Sequence, residues 1–257
     1  MATLLLKGTP IGNVDGVLFD KDGTLSHSEP LLIDLAERRI RTSIALWRDR
    51  RGCSDSDQLA STLQRAFGLQ ENALSPGGTL AVASRQDNLT STATVFCLFG
   101  CTWPEALGLA QRSFNLVDKD LEHASRPSAL LPHAETLLQQ LKASSVHNAV
   151  ISNDTTSGIQ QFLRHHHLSA TIEAVWSADD QPRKPDPKAV ELLCQQLHLD
   201  PNRCALIGDA ETDLQMAKQA GIGCVIGFTG GWALRPELPS ADHLLETWSH
   251  LKIVANA

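Results

Sequence analysis

Asp20 and Asp22 stand one residue apart in Asp20-Lys21-Asp22-Gly23-Thr24-Leu25, directly after the unbroken apolar run Val17-Leu18-Phe19. Two carboxyl groups at this spacing can divide a group-transfer reaction between them. One attacks phosphorus and forms an aspartyl-phosphate, and the other protonates the leaving oxygen and then deprotonates water. Both side chains are expected to face one pocket, with Lys21 pointing elsewhere. Gly23 permits a tight turn that would present backbone N–H groups to phosphate oxygens. Further along the chain, Ser152 and Asn153 follow Ala149-Val150-Ile151, and Asp209 and Asp213 follow the apolar stretch Cys204–Ile207. Lys184 lies between these units in Arg183-Lys184-Pro185-Asp186-Pro187. Three or four carboxylates beside one lysine and one hydroxyl would repel one another. A hard divalent cation held by carboxylates and waters relieves that repulsion, and Mg²⁺ keeps substrate phosphate as a further ligand. Ser152 and Lys184 suit the holding of that phosphate.

The elements that must position these groups follow from apolar rhythm. Val14–Asp20 reads as a short strand ending in a polar loop. From Glu29 to Arg50 the apolar residues Leu31, Leu35, Ile40, Ile44 and Trp47 recur at helical spacing. Helices are also expected over Ser54–Phe67, Asp87–Phe99 and Trp103–Glu122, the last with Pro104 well placed at its start. Ser75-Pro76-Gly77-Gly78 reads as a turn, and Arg126-Pro127 and Leu131-Pro132 punctuate the end of this helical block. Then the rhythm changes. Strands at 149–151, 172–176, 204–207 and 224–226 alternate with helices at 135–143, 159–167, 186–197 and 214–220, the last closed by Gly221. Short apolar strands alternating with helices indicate a parallel sheet covered on both faces. Ligands of such sheets bind beyond the carboxyl ends of the strands. Asp20, Ser152 and Asp209 all fall there.

Four motifs in this order resemble the haloacid dehalogenase superfamily, and within it the phosphatases with a helical cap inserted after the first motif. They are Val17-Leu18-Phe19-Asp20-Lys21-Asp22-Gly23-Thr24-Leu25, Val150-Ile151-Ser152-Asn153, Arg183-Lys184-Pro185-Asp186-Pro187, and Leu206-Ile207-Gly208-Asp209 through Asp213. The resemblance covers nearly the whole chain. It implies a Rossmann-like α/β core from residues 1–27 and 129–257 and a helical cap from 28–128. It implies Asp20 as nucleophile and Asp22 as general acid/base, with Ser152, Asn153, Lys184 and Gly23 around the phosphoryl group. Asp209 would bind Mg²⁺ with the Asp20 carboxylate and the Asp22 carbonyl, and Asp213 would be a further carboxylate at the metal. A dehalogenase of the family lacks the second aspartate, so Asp22 favours phosphoryl chemistry. The implied activity is a Mg²⁺-dependent phosphatase for a small metabolite, phosphoglycolate-like or sugar-phosphate-like. A phosphosugar mutase and a non-catalytic regulatory protein are the alternatives. Lys21 departs from the apolar or aromatic residue usual at its position, and His27 from an acidic one.

Composition agrees with a globular chain. The 257 residues are 42% hydrophobic, 20% charged and carry a net charge of −7. An acidic balance argues against sequence-independent nucleic-acid binding, which needs a basic surface. There is no Tyr to serve as acid, base or nucleophile. The six cysteines, Cys53, Cys97, Cys101, Cys194, Cys204 and Cys224, contain no Cys-x-x-Cys pair and read as reduced, mostly buried thiols. Residues 1–9 lack the basic and apolar regions of a signal peptide, and no stretch approaches a membrane span, so a cytoplasmic location is expected. Residues 1–13 have no assigned role. Trp103 and Phe96 read as cap core and Glu211 as solvated. Three adjacent imidazoles, His165, His166 and His167, fan out on a helix and read as exposed. The cap turn at Ser75–Thr79 is a candidate loop over the substrate.

Overall fold

The computed structural model describes residues 2–52, 55–71, 73–122 and 127–255. Cys53, Ser54 and Arg126, named above, lie outside the described residues. The chain divides into two compact units, one formed by residues 1–28 and 127–257, the other by residues 29–126.

The first unit opens with β1 (Ala2–Leu6), β2 (Thr9–Val14), β3 (Gly16–Phe19) and β4 (Ser26–His27). The second unit contains α1 (Glu29–Arg51), α2 (Ser56–Phe67), α3 (Thr79–Val82), α4 (Arg85–Leu98) and α5 (Trp103–Glu122). The first unit resumes with β5 (Ala129–Leu130), α6 (Ala134–Ala143), β6 (His147–Ile151), α7 (Thr156–His165), β7 (Ala174–Trp176) and α8 (Pro187–Gln196). It ends with β8 (Cys204–Gly208), α9 (Glu211–Gln219), β9 (Cys224–Phe228), β10 (His243–Leu245) and β11 (Leu251–Ala255).

The six-stranded sheet has the order β10-β9-β8-β3-β6-β7, and every pairing in it is parallel. β3 is central, with Phe19 opposite Val150 on one side and Ile207 on the other. Alternation sorts its side chains between two cores. Val17, Phe19, Val150, Ala205, Ile207 and Ile226 pack with α6 and α7, while Leu18, Ala149, Ile151, Leu206 and Val225 pack with α8 and α9. Burial on both faces explains why these strands read as continuous apolar runs. Each fully buried Leu, Ile or Val contributes about 1.5–3 kcal/mol.

Residues 2–13 have a structural role that the apolar rhythm did not reveal. β1 and β2 form a hairpin, and β1 also pairs antiparallel with β11, giving the sheet order β11-β1-β2. Lys7 and Gly8, both at positive φ, make the two-residue turn. Pro10 sits on the edge strand, where a missing N–H is tolerated. Ala2 and Leu4 are fully buried in the same core as α6.

The helical unit packs α1 against α5 and α2, and α4 against α5. Trp47 stacks on Phe96, with centroids 6.1 Å apart, and meets Phe99 edge-on. Phe96 is core, as expected. Trp103 is not: it is 48% exposed at the start of α5. α4 starts two residues earlier than expected because Ser84 and Asp87 form a capping box. This core also holds an ion. Arg39 is buried on α1 with its guanidinium 3.9 Å from the centroid of Phe114, and its contact with Asp118 is long, at 3.5 Å. Its Nε has no hydrogen-bond partner, and burial lowers its pKa to about 10. None of the described helices is long and apolar enough to cross a membrane.

Candidate active site

The carboxyl ends of β3, β6, β8 and β9 meet at one edge of the sheet, which explains how residues far apart in sequence converge. Asp20 follows β3, and its backbone N–H donates to the Ile207 carbonyl of β8. The Asp20 carboxylate is buried, and its Oδ1 accepts from Lys184 Nζ at 2.6 Å. The same ammonium reaches Asp213 Oδ1 at 3.0 Å and the Ile151 carbonyl at 3.2 Å. Lys184 therefore joins the loops after β3, β6 and β8. Local bonds fix its own loop. Trp176 Nε1 donates to the Pro182 carbonyl, Ser177 donates to Asp180, and the Asp186 side chain caps α8 through the Lys188 N–H. Asp213 sits in the first turn of α9, where Gly208 leaves room: a Cβ there would stand 3.0 Å from Asp213 Oδ2.

Asp209 follows β8 and is held at both oxygens. Thr24 Oγ1 donates to Oδ1 at 2.6 Å, and Trp232 Nε1 donates to Oδ2 at 2.6 Å. Trp232 arrives on the loop after β9 through Gly230-Gly231. A Cβ on Gly231 would lie 1.7 Å from the Gly23 carbonyl, and one on Gly23 would lie 2.4 Å from Trp232 Nε1. Gly23 has φ +80°, in the left-handed region. The loops after β3 and β9 thus approach backbone to side chain, and glycine at both positions is a steric requirement. This corrects one expectation. The Gly23 N–H is not free for a phosphate oxygen; it donates to the Ser26 carbonyl at 2.9 Å.

A second correction concerns Lys21, which does not point away from the pocket. Its Nζ is 2.7 Å from Asp22 Oδ1 and 3.1 Å from Asp154 Oδ2, and it lies over the Phe162 ring. Asp22 Oδ1 also accepts from the Ser28 hydroxyl. Ser28, Ser26 and Ser128 hydroxyls form a buried chain across the antiparallel pair β4–β5. Ser152 is buried, and its Oγ accepts from the Asp154 N–H at 3.2 Å, so its hydroxyl proton remains available to a ligand. Asn153 is half-buried beside it. His165 and His167 are exposed, but His166 is half-buried and bonded to the Ser128 carbonyl. Glu211 is not merely solvated: it accepts from the Ser240 backbone and hydroxyl.

Electrostatics single out the Asp20–Asp209 side of this edge. Burial pushes the Asp20 carboxyl up to about 6, with Lys184 opposing the rise and Asp213 adding to it. Burial and the Asp20 charge hold Asp209 well above the usual carboxylate range. Burial works against the Lys184 charge, but Asp20 and Asp213 outweigh it and raise its pKa. Lys184 thus pairs with Asp20 and Asp213, while the buried Asp209 carboxyl has only the neutral donors Thr24 and Trp232, a local deficit of positive charge. Among the described residues no group of three or more His, Cys, Asp or Glu could by itself hold a metal ion. Mg²⁺ does not need such a cage, because it is usually bound by one or two carboxylates plus waters and substrate phosphate. The Asp20–Asp209 pair fits that requirement in charge and in donor type.

Lys21, Thr24, Ser28, Asp154 and Trp232 are the site residues that motif reading missed. Two signals pointed toward them. Asp154 is a third polar residue after β6, and Thr229-Gly230-Gly231-Trp232 follows β9 at the same sheet edge as the other loops.

Known proteins are similar to this chain in sequence or in fold. A phosphoglycolate phosphatase of Salmonella paratyphi A is 26% identical over 93% of this chain and 91% of its own length. An (S)-2-haloacid dehalogenase of Burkholderia cepacia is 28% identical over 55% of this chain and 65% of its own. The crystal structure of a predicted phosphoglycolate phosphatase from Haemophilus somnus superimposes with a TM-score of 0.65 at 20% identity, covering 92% of this chain and 95% of that one. A β-phosphoglucomutase from Clostridium difficile gives 0.58 at 17% identity, covering 91% and 92%. These two structures share the fold. The model of the haloacid dehalogenase-like hydrolases matches residues 14–221, from the strand before Asp20 to the glycine that closes α9. Spanning most of the sequence and all four strand-end loops that carry Asp20, Ser152, Lys184 and Asp209, that match places the chain in the haloacid dehalogenase-like hydrolase family.

Proposed function

We propose that the chain is a Mg²⁺-dependent phosphatase acting on a small phosphorylated metabolite, phosphoglycolate-like or sugar-phosphate-like. The observation that carries this reading is Asp20, buried at the end of the central strand with Lys184 on one of its oxygens and Asp22 in the same loop. The presence of Asp22 separates it from the dehalogenase pattern, and relatives named as phosphoglycolate phosphatases support it. We assign the α/β unit as the catalytic core and the helical unit as its cap. Five free cysteines among the described residues suit a reducing, cytoplasmic setting.

In this reading Asp20 Oδ2, the oxygen not engaged by Lys184, attacks phosphorus. The bond to the leaving oxygen breaks, and the Asp22 carboxyl gives that oxygen its proton, releasing the alcohol. Asp22, now a carboxylate, takes a proton from water as the water oxygen bonds phosphorus. The Asp20–phosphorus bond breaks, releasing phosphate and restoring both carboxyls. Ser152 and Asn153 orient the phosphoryl oxygens, and Lys184 neutralises charge on them while holding Asp20 in line. Asp20, Asp209 and the Asp22 carbonyl would hold Mg²⁺, with Asp213 acting on the same site through Lys184. When bound, Mg²⁺ supplies positive charge to the phosphoryl oxygens.

A panel of phosphate esters, scored by phosphate release with and without Mg²⁺, tests the reading. Asp20→Asn should lower turnover by about 10⁴-fold or more, because no nucleophile remains. Wild-type rates from the Asp20→Asn protein would sink it. Interconversion of sugar phosphates without net phosphate release would replace it with the mutase.

A further inference from the structure

Lys21 is a buried cation with two carboxylates and no part in the reaction described above. Its side chain is 7% exposed, against 27% for Asp22 and 32% for Asp154. Burial opposes its charge, but Asp22 and Asp154 outweigh burial and raise its pKa, so the ammonium is a fixed positive charge at this edge. The far end of the bridge is built as well. Asp154 Oδ1 accepts at 2.7 Å from the N–H of Thr155, the N-cap of α7. Gly158, one turn on, clears the space: a Cβ there would stand 2.6 Å from both Asp154 oxygens. The Asp154 N–H in turn donates to Ser152 Oγ. The bridge therefore ties the loop of Asp22 to the loop of Ser152. At Asp22, Lys21 and the Ser28 hydroxyl both engage Oδ1.

We propose that Lys21, anchored by Asp154, is a positioning residue that pins Asp22 through Oδ1 and so presents Oδ2 as the oxygen that exchanges the proton with substrate. The inference rests on the reading of Asp22 as the acid/base. A carboxyl held at one oxygen keeps the other on a fixed line. Misplacement of a reacting group by about 1 Å costs on the order of 10²-fold in rate. The proton matters in proportion to how poor the leaving group is. An alkoxide needs it as the bond breaks, whereas nitrophenolate leaves without it.

The test compares kcat/KM for 2-phosphoglycolate, an alkyl ester, with that for p-nitrophenyl phosphate, since kcat/KM reports the steps up to phosphoryl transfer. Asp22→Asn sets the reference, with a larger loss on the alkyl ester than on the aryl ester. Lys21→Met should repeat that pattern, losing about 10²-fold on the alkyl ester and no more than about 10-fold on the aryl ester. Lys21→Arg should recover part of the alkyl rate, and Asp154→Asn should show the same selectivity in weaker form. Asp154→Asn leaves Lys21 and Asp22 intact, so it carries the comparison if Lys21→Met does not fold by circular dichroism. Equal losses on both esters, or no loss on either, for Lys21→Met and Asp154→Asn would overturn the proposal. Equal losses on both esters from Asp22→Asn would instead overturn the acid/base reading beneath it.

Discussion

Lys184 and Lys21 each hold two carboxylates at the same sheet edge, yet their surroundings differ. The partners of Lys184, Asp20 and Asp213, are nearly as inaccessible as the lysine: 8% and 6% exposed against 3%. The partners of Lys21 are about one-third open to water. Removing a cation from between two buried carboxylates leaves charges that nothing hydrates. Removing it from between two partly wet carboxylates leaves charges that water can reach. The first lysine should therefore support both the fold and the chemistry, and the second mainly orientation. A third buried cation, Arg39, sharpens the contrast. It has one distant carboxylate partner, which Arg85 already engages at 2.6 Å.

Three substitutions can break or refine this comparison. The largest effect is expected for Lys184→Met. Phosphate release should fall by about 10²–10³-fold or more for loss of a charge at the reacting group. Urea denaturation should show a loss of about 3–5 kcal/mol from the uncompensated carboxylates. If Lys184→Met melts like Lys21→Met, the distinction drawn from burial fails. Next comes Trp232→Phe, which keeps an aromatic side chain and removes the N–H donated to Asp209. Titration calorimetry should show Mg²⁺ binding weakened by about 10-fold or more, as for loss of a group that orients a metal ligand. Unchanged binding would mean Thr24 alone suffices. The smallest effect is expected for Arg39→Met, neutral or stabilising by about 1 kcal/mol, because it trades an imperfectly paired buried ion for an apolar side chain. A destabilisation as large as that of Lys184→Met would show that Arg39, too, is needed to hold its carboxylate.

The same contrast explains what could be read from sequence. Lys184 was legible because a strand–loop rhythm dictates where its neighbours lie: a residue after a parallel strand must stand at the carboxyl edge, whatever its side chain does. Asp20, Ser152 and Asp209 were placed by that rule alone. Lys21 was not legible, because alternation predicts opposite directions for adjacent side chains, whereas the turn at Gly23 and the reach of a four-carbon stem bring Lys21 back onto Asp22. Trp232 was hidden for another reason. Its role depends on two glycines, Gly23 and Gly231, that are 208 positions apart and touch only in the folded chain. The β1–β2–β11 sheet was missed because Leu4-Leu5-Leu6 shows no alternation and Pro10 argues against a strand until its edge position is known.

The pairing of β1 with β11 also bears on the order in which the protein can assemble. The helical unit is contiguous in sequence and is complete once residue 126 has left the ribosome. The sheet unit is not: β1 and β3 are made before the helical unit, yet β1 meets β11 only after residues 7–250 have been made. Contacts of such sequence separation form slowly. Until then β1 and β3 present unpaired edges, the usual hazard for misassembly during synthesis. A chain cut short before Leu251 would therefore leave β1 with only one of its two neighbours, β2.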